Sequence, residues 1–125
     1  MKLRKEQLGA ISRAQQEQFA ERMVGHLWVE FHDECLRQGF RQEQDVRPFV
    51  DRGIAAAKGY GLATEGGARQ YLDCMIVLGP GFDKDPAYHW AREILTDPGR
   101  DASRKSESLA WHMLSVVKWK DGPHG

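Results

Sequence analysis

The chain has 125 residues, and its 18 basic and 18 acidic side chains give a formal net charge of zero. This length fits one domain whose core needs no disulfide or metal, and the hydrophobic fraction of 41% excludes a disordered chain. Because a basic excess is missing, the charge balance argues against a nucleic-acid partner held by phosphate neutralisation.

The N-terminal sequence lacks a targeting pattern. Its charged start, residues 1–7, is not followed by the run of about 7–15 apolar residues that a secretory signal requires. No other stretch approaches the roughly 20 apolar residues of a membrane span. We therefore expect a cytoplasmic protein without a membrane partner.

The first helical segment is predicted over residues 4–31, as one or two helices. Its apolar side chains recur at helical spacing: Leu8, Ile11, Phe19, Met23, Leu27 and Phe31. Polar residues 15–18 interrupt this face, so we expect residues 1–10 to project from the core. A short helix from Asp33 to Leu36 then ends at Gly39, because glycine readily adopts the left-handed conformation that ends helices.

Two longer helices are predicted in the middle of the chain. The first covers residues 42–59, with Pro48 in its first turn, where a missing N–H costs little. The second begins after Thr64, whose hydroxyl can accept a hydrogen bond from the first turn, and it continues to Leu78. The glycines between them, at positions 59 and 61, allow the chain to turn.

The last part of the chain is punctuated by proline and glycine. Gly79-Pro80-Gly81 ends the preceding helix, and Phe82 is expected to fold under the helices as an apolar plug. Asp85-Pro86 predicts the start of another helix, which continues to Leu95. A final helix is predicted over residues 103–118, followed by a frayed tail at 120–125.

These elements predict an all-α fold, a compact single-domain bundle of five or six helices over residues 1–125. No strand-like alternation of any length is present. We expect seven large side chains to anchor the core: Phe49, Ile54, Tyr71, Leu72, Met75, Phe82 and Trp90.

No residue pattern indicates a catalytic, cofactor-binding or metal site. His32 and Cys35 lie one helical turn apart, but they lack the second ligand pair of a zinc site. Cys35 and Cys74 are interpreted as buried, reduced thiols. We therefore predict a protein that is not an enzyme and that needs no cofactor. The alternative is a small helical enzyme or ligand-binding domain that uses Asp83, Asp85 and His89 in a polar pocket.

The aromatic side chains suggest a binding surface. Trp28 lies one position off the inward face of its helix, and Trp111 and Trp119 widen the apolar face of the last helix beyond the needs of one core. Tryptophan is enriched in the residues that dominate binding energy. We predict that Trp28, Trp111, Leu114 and Trp119 bind a protein partner. The alternative is that the indole rings fill the helical core.

Four groups of residues follow one another in an order that is shared with a known family. The groups are Leu3-Arg4-Lys5-Glu6-Gln7-Leu8 with Phe19, Arg22 and His26-Leu27; Gly53-Ile54 with Tyr60-Gly61-Leu62; Tyr71, Met75 and Leu78-Gly79 with Phe82-Asp83; and Trp90-Ala91-Arg92-Glu93-Ile94-Leu95. In this order the chain resembles small helical accessory proteins that bacteria encode beside the spike, tip and toxin components of type VI secretion systems. The resemblance covers roughly residues 3–97.

This resemblance implies an adaptor or co-chaperone that helps load a secreted toxin, the effector, onto the secretion spike. Its partners would be the effector, an adaptor or a spike protein. An immunity protein that binds and inhibits its cognate toxin is the alternative within the same gene clusters. Inhibitors of nuclease toxins are often strongly acidic, so the zero net charge favours the adaptor.

Overall fold

Six α-helices follow one another in the part of the chain that the structure describes. The computed structural model covers the backbone of residues 12–121 and the side chains of residues 12–116. The helices are α1 (Arg13–Glu30), α2 (His32–Arg37), α3 (Arg47–Gly59), α4 (Glu65–Leu78), α5 (His89–Leu95) and α6 (Ala102–Asp121). No strand occurs between residues 12 and 121, which confirms the predicted all-α bundle. The expected projection of residues 1–10 lies outside the described residues.

Helix α1 ends at Glu30, close to the predicted end at residue 31, and it begins at Arg13; the predicted helical residues 4–11 lie outside the described residues. Helix α2 extends one residue beyond each end of the predicted range Asp33 to Leu36. Ser12 caps α1, because its hydroxyl accepts from Gln15 N at 3.2 Å while the Gln15 side chain accepts from Ser12 N at 3.1 Å. This reciprocal pair satisfies two N–H groups that the first turn leaves without helical partners. The chain turns after α2 at Gly39, whose φ of 93° is a conformation that glycine adopts without steric cost.

Two helices begin later than predicted, each behind a short 3-10 turn. The turn Glu43–Val46 precedes α3, and Pro48 explains why. The proline ring has no N–H and would clash with the carbonyl four residues earlier if an α-helix had started near residue 42. The turn Pro86–Tyr88 precedes α5 in the same way, and there Asp85 accepts from Ala87 N at 2.9 Å, which closes a tight turn.

Helix α4 is the centre of the bundle and packs against α1, α2, α3 and α6. Its start after Thr64 and its end at Leu78 agree with the prediction, and the Thr64 hydroxyl accepts from Gly67 N at 3.1 Å. Helix α3 approaches it closely at Gly53, where an added Cβ would lie 2.3 Å from a Leu72 methyl carbon. Only glycine leaves room for this contact.

Six of the seven predicted core anchors are buried: Phe49, Ile54, Tyr71, Leu72, Met75 and Phe82. Phe82 packs against Tyr71 with ring centroids 5.0 Å apart, which confirms that it fills the space under the helices. Trp90 is the exception, because it is half-buried and stacks on His112 at 4.7 Å near the surface.

The last helix is longer than predicted. Asp101 caps it by accepting from Arg104 N at 2.8 Å, and the helical backbone continues to Asp121. It therefore extends two residues into the segment 120–125 for which fraying is expected. Residues 122–125 lie outside the described residues. None of the described helices is long and apolar enough to cross a membrane.

Candidate protein-binding surface

The outer face of α6 exposes two large apolar side chains. Leu109 and Met113, one turn apart, face the core, and Leu109 is fully buried. Trp111 and Leu114 point away from that face and are 71% and 66% exposed. Both were predicted as partner-binding residues, and the structure leaves both of them accessible to a partner.

A depression of about 310 Å³ lies beside Leu114. Its lining combines the end of α1, one side of α4 and the middle of α6: Phe31, Gln70, Asp73, Ala110, Met113 and Leu114. Four of these six side chains are apolar. Since Leu114 belongs to both the depression and the exposed face of α6, the two features form one continuous surface with Trp111, which we call the α6 surface.

One wall of this surface carries a polar pair. His26 Nε2 lies 2.9 Å from Asp73 Oδ1, and the carboxylate accepts this hydrogen bond. Burial raises the pKa of Asp73, while the bond to His26 acts in the opposite direction. The His26 ring also meets Phe31 edge-on, with centroids 5.7 Å apart. The pair therefore satisfies a partly buried carboxylate and supports the aromatic wall of the depression.

Of the other two predicted binding residues, Trp28 is only half-exposed, and the side chain of Trp119 lies outside the described residues. Trp28 is half-buried against the core and meets the His32 ring edge-on at 4.4 Å. It does not line the depression, although Phe31, three residues further along the chain, does. Trp119 belongs to α6, but its side chain lies outside the described residues.

Of the six residues that line the depression, Leu114 was predicted to bind a partner, whereas Phe31, Gln70, Asp73, Ala110 and Met113 were not. Phe31 has the spacing of a core residue, and Gln70 and Asp73 are ordinary polar positions on a helix. The one available signal was a carboxylate at Asp73 between two apolar neighbours, Leu72 and Cys74. That pattern does not reveal which other helix lies beside it.

The residues of the alternative polar site do not converge on a pocket. Asp83 is buried and accepts from the Tyr60 hydroxyl at 2.6 Å, and Asp85 caps a turn. His89 lies on the exposed side of α5, where its Nε2 is 3.1 Å from Glu93 Oε2. Phe82 is buried beside Asp83, and none of the three side chains lines the depression beside Leu114 or the cleft between α5 and α6.

A second, more polar cleft of about 540 Å³ opens between α5 and α6. Its carboxylates have local partners: Glu93 is paired with His89, and Asp97 accepts from Gly99 N at 2.8 Å and lies 3.6 Å from Arg100. Among the described side chains, no group of three or more His, Cys, Asp or Glu is placed to hold a metal ion. Both carboxylates of the cleft are therefore engaged in local contacts.

The two cysteines are buried free thiols. Cys35 donates its S–H to the Leu27 carbonyl at 3.4 Å. Burial raises the pKa of Cys35 to about 11 and that of Cys74 to about 12. Both thiols are therefore protonated at neutral pH, and a protonated thiol is a poor nucleophile.

The hydrogen bond between Tyr60 and Asp83 supports a prediction about stability. Tyr60→Phe is expected to lower the free energy of unfolding by about 1–3 kcal/mol at neutral pH, because Asp83 stays buried without its donor. Burial, and after it the bond to Asp83, raises the pKa of Tyr60 to about 12. The contribution of Tyr60 is therefore complete below its unfolded pKa of about 10 and is lost as the pH rises through 12.

Urea denaturation of Tyr60→Phe at neutral and at alkaline pH measures this contribution. Tyr88→Phe is the matched control. The Tyr88 ring is also half-buried, but its hydroxyl makes no hydrogen bond to a described side chain. We expect the difference between Tyr60→Phe and the wild type to shrink at alkaline pH. An equal loss in both variants, or a difference that is independent of pH, would contradict this role of Tyr60.

Comparison with protein-family models, with curated proteins and with solved structures found no match.

Proposed function

We propose that the protein is a non-enzymatic interaction module, an adaptor or co-chaperone that helps load a type VI secretion effector. Its place of action would be the bacterial cytoplasm, and its partner would be the effector, together with an adaptor or spike protein. The observation that carries this proposal is the α6 surface, where the exposed Trp111 and Leu114 adjoin an apolar depression.

Three properties of this surface suit a protein partner. Contiguous apolar side chains with a polar rim are typical of interaction sites, and here Gln70 and Asp73 supply polar groups beside the apolar lining. A tryptophan gives much contact area for few rotatable bonds, so it often dominates binding energy. A depression of about 310 Å³ can receive one large apolar side chain from a partner.

The immunity protein is the second candidate, because blocking a toxin also requires only a complementary surface. The zero net charge favours the adaptor over an inhibitor of a basic nuclease, which would gain from an acidic face. The small enzyme is the weakest candidate, since Phe82 closes the loop between Asp83 and the helices.

Trp111→Ala is expected to weaken partner binding by about 2 kcal/mol or more, the range of a dominant interface residue. Because Trp111 is exposed in the isolated protein, the free energy of unfolding should change by no more than about 0.5 kcal/mol. Isothermal titration of the partner and urea denaturation measure the two effects separately. Lost stability with unchanged binding would show that the surface is wrongly placed.

Gene deletion distinguishes loading from inhibition. Cells without the gene should retain the effector in the cytosol and remain viable, and the wild-type gene, but not Trp111→Ala, should restore its secretion. Leu36→Ala changes an exposed leucine on α2 that does not line the depression, and it should also restore secretion. Death of the deletion strain from its own toxin would overturn the adaptor in favour of the immunity protein.

A further inference from the structure

The exposed side of α6 has a regular pattern of charged and apolar residues. Arg104, Glu107, Trp111 and Leu114 are all exposed and follow one another at spacings of three, four and three. The sequence continues this spacing with Lys118 and Asp121, and the helical backbone extends to Asp121. Alternating steps of three and four place residues along one seam of a helix, as in helices that pair with another helix.

This seam has the symmetry of a self-complementary contact. Its spacings read the same from both ends, and the midpoint falls between Trp111 and Leu114. If two copies of α6 run antiparallel about that midpoint, Trp111 of each copy lies opposite Leu114 of the other. In the register of the helical backbone, position 107 then falls opposite position 118 and position 104 opposite position 121. The sequence gives each of these two pairs one acidic and one basic residue.

We propose that the protein forms a two-fold symmetric dimer in which the α6 helices pair antiparallel through this seam. A two-fold axis repeats every contact between the two copies, so each favourable pair of residues occurs twice in the interface. A parallel pairing would instead place Arg104 against Arg104 and Glu107 against Glu107. The charge pattern therefore favours the α6 helix of a second copy as the partner of this seam, and it favours the antiparallel direction.

The apolar centre of the seam supplies most of the attraction. Trp111 and Leu114 are exposed in the isolated chain, and pairing removes both from water in each copy. Leu114 also lines the depression, so Trp111 of the second copy lies at the edge of a cavity of about 310 Å³. Charge pairs at helix surfaces generally contribute less to affinity than apolar contacts, but they fix the register and the direction.

Dimerisation does not depend on the adaptor proposal, although both use Trp111 and Leu114. A second copy and a different protein partner would therefore exclude each other at this face. Because the seam is short, we expect a concentration-dependent dimer rather than a permanent one.

Charge exchange across the seam tests the pairing directly. Sedimentation velocity over a wide concentration series would compare the wild type, Glu107→Lys, Lys118→Glu and the variant that carries both changes. Each single change puts like charges opposite each other twice, and we expect the dimer dissociation constant to rise about tenfold or more. The double change restores opposite charges and should restore the wild-type constant. Glu93→Lys, an exposed glutamate on α5, is the control and should leave the constant unchanged.

A wild-type protein that stays monomeric throughout the series would overturn the dimer. So would a dimer whose dissociation constant is unaffected by either single change, or single changes that the double change fails to rescue. These outcomes leave the adaptor proposal standing, since a monomer can still carry an effector. Conversely, a dimer that follows the charge exchange but binds no secretion component would separate this inference from the adaptor proposal.

Discussion

Leu72→Ala is expected to lower the free energy of unfolding by about 2–5 kcal/mol. Leu72 is 0% exposed on the central helix α4. It lies against Gly53 of α3, where the two helices approach so closely that a Cβ at position 53 would be 2.3 Å from Leu72 Cδ2. Truncation leaves a cavity that this tight helix pair can fill only in part, so lost burial and lost packing add. Urea denaturation followed by circular dichroism measures the change.

Leu36→Ala is the matched control for this substitution. It removes the same atoms from a side chain that is 50% exposed, so we expect a loss of less than about 1 kcal/mol. Similar losses at the two positions would contradict the placement of α4 at the centre of the bundle.

Phe82→Ala is expected to lower the free energy of unfolding by about 3–5 kcal/mol, although Phe82 lies in a 3-10 turn, Phe82–Lys84, between α4 and α5 rather than in an α-helix. Its ring is fully buried and packs against Tyr71, which in turn meets Tyr60 with ring centroids 6.0 Å apart. The loss of Phe82 therefore removes one end of a row of three packed aromatic rings, of which Phe82 and Tyr71 are buried and Tyr60 is partly buried. Thermal and urea denaturation both measure the effect.

Phe82→Leu keeps most of the apolar volume and should cost clearly less than Phe82→Ala. If Phe82→Ala folded with wild-type stability, the loop would be open rather than filled. That result would also revive the small enzyme, because space would then exist beside Asp83.

The helices that the sequence predicted best are those whose ends carry local signals. Helix α4 begins after Thr64 and ends at Leu78 because a capping hydroxyl and a glycine with φ of 113° at position 79 act within a few residues. Its inward face was also predictable, since helical periodicity alone places Tyr71, Leu72 and Met75 on one side.

The starts of two helices were predicted wrongly because two similar local structures compete there. Both Pro48 and Pro86 marked the start of a helical segment, but the sequence did not show that a 3-10 turn would come first. An α-helical turn and a 3-10 turn have similar backbone angles, and they differ in whether the N–H bonds to the carbonyl four or three residues earlier. Trp90 was expected in the core because its spacing fits the inward face of its helix. It is only half-buried, and its ring stacks on His112 of α6.

The binding surface was only partly predictable for a different reason. Excess apolar width on the last helix pointed to Trp111 and Leu114, and both are exposed. The depression beside them joins Phe31, Asp73 and Leu114, which are far apart in the sequence. Such a feature depends on how three helices cross, and no local pattern of residues encodes that crossing.

Affinity capture from the native cytosol, quantified by mass spectrometry, tests the proposed adaptor function most directly. The wild type, Trp111→Ala and the control Leu36→Ala would be compared under identical conditions. We expect the wild type and Leu36→Ala to recover a toxin together with a spike or adaptor protein, and Trp111→Ala to lose both. Equal recovery by all three proteins would contradict the α6 surface as the binding site. Recovery of a toxin alone would favour the immunity protein. Recovery of no secretion component would contradict the adaptor function.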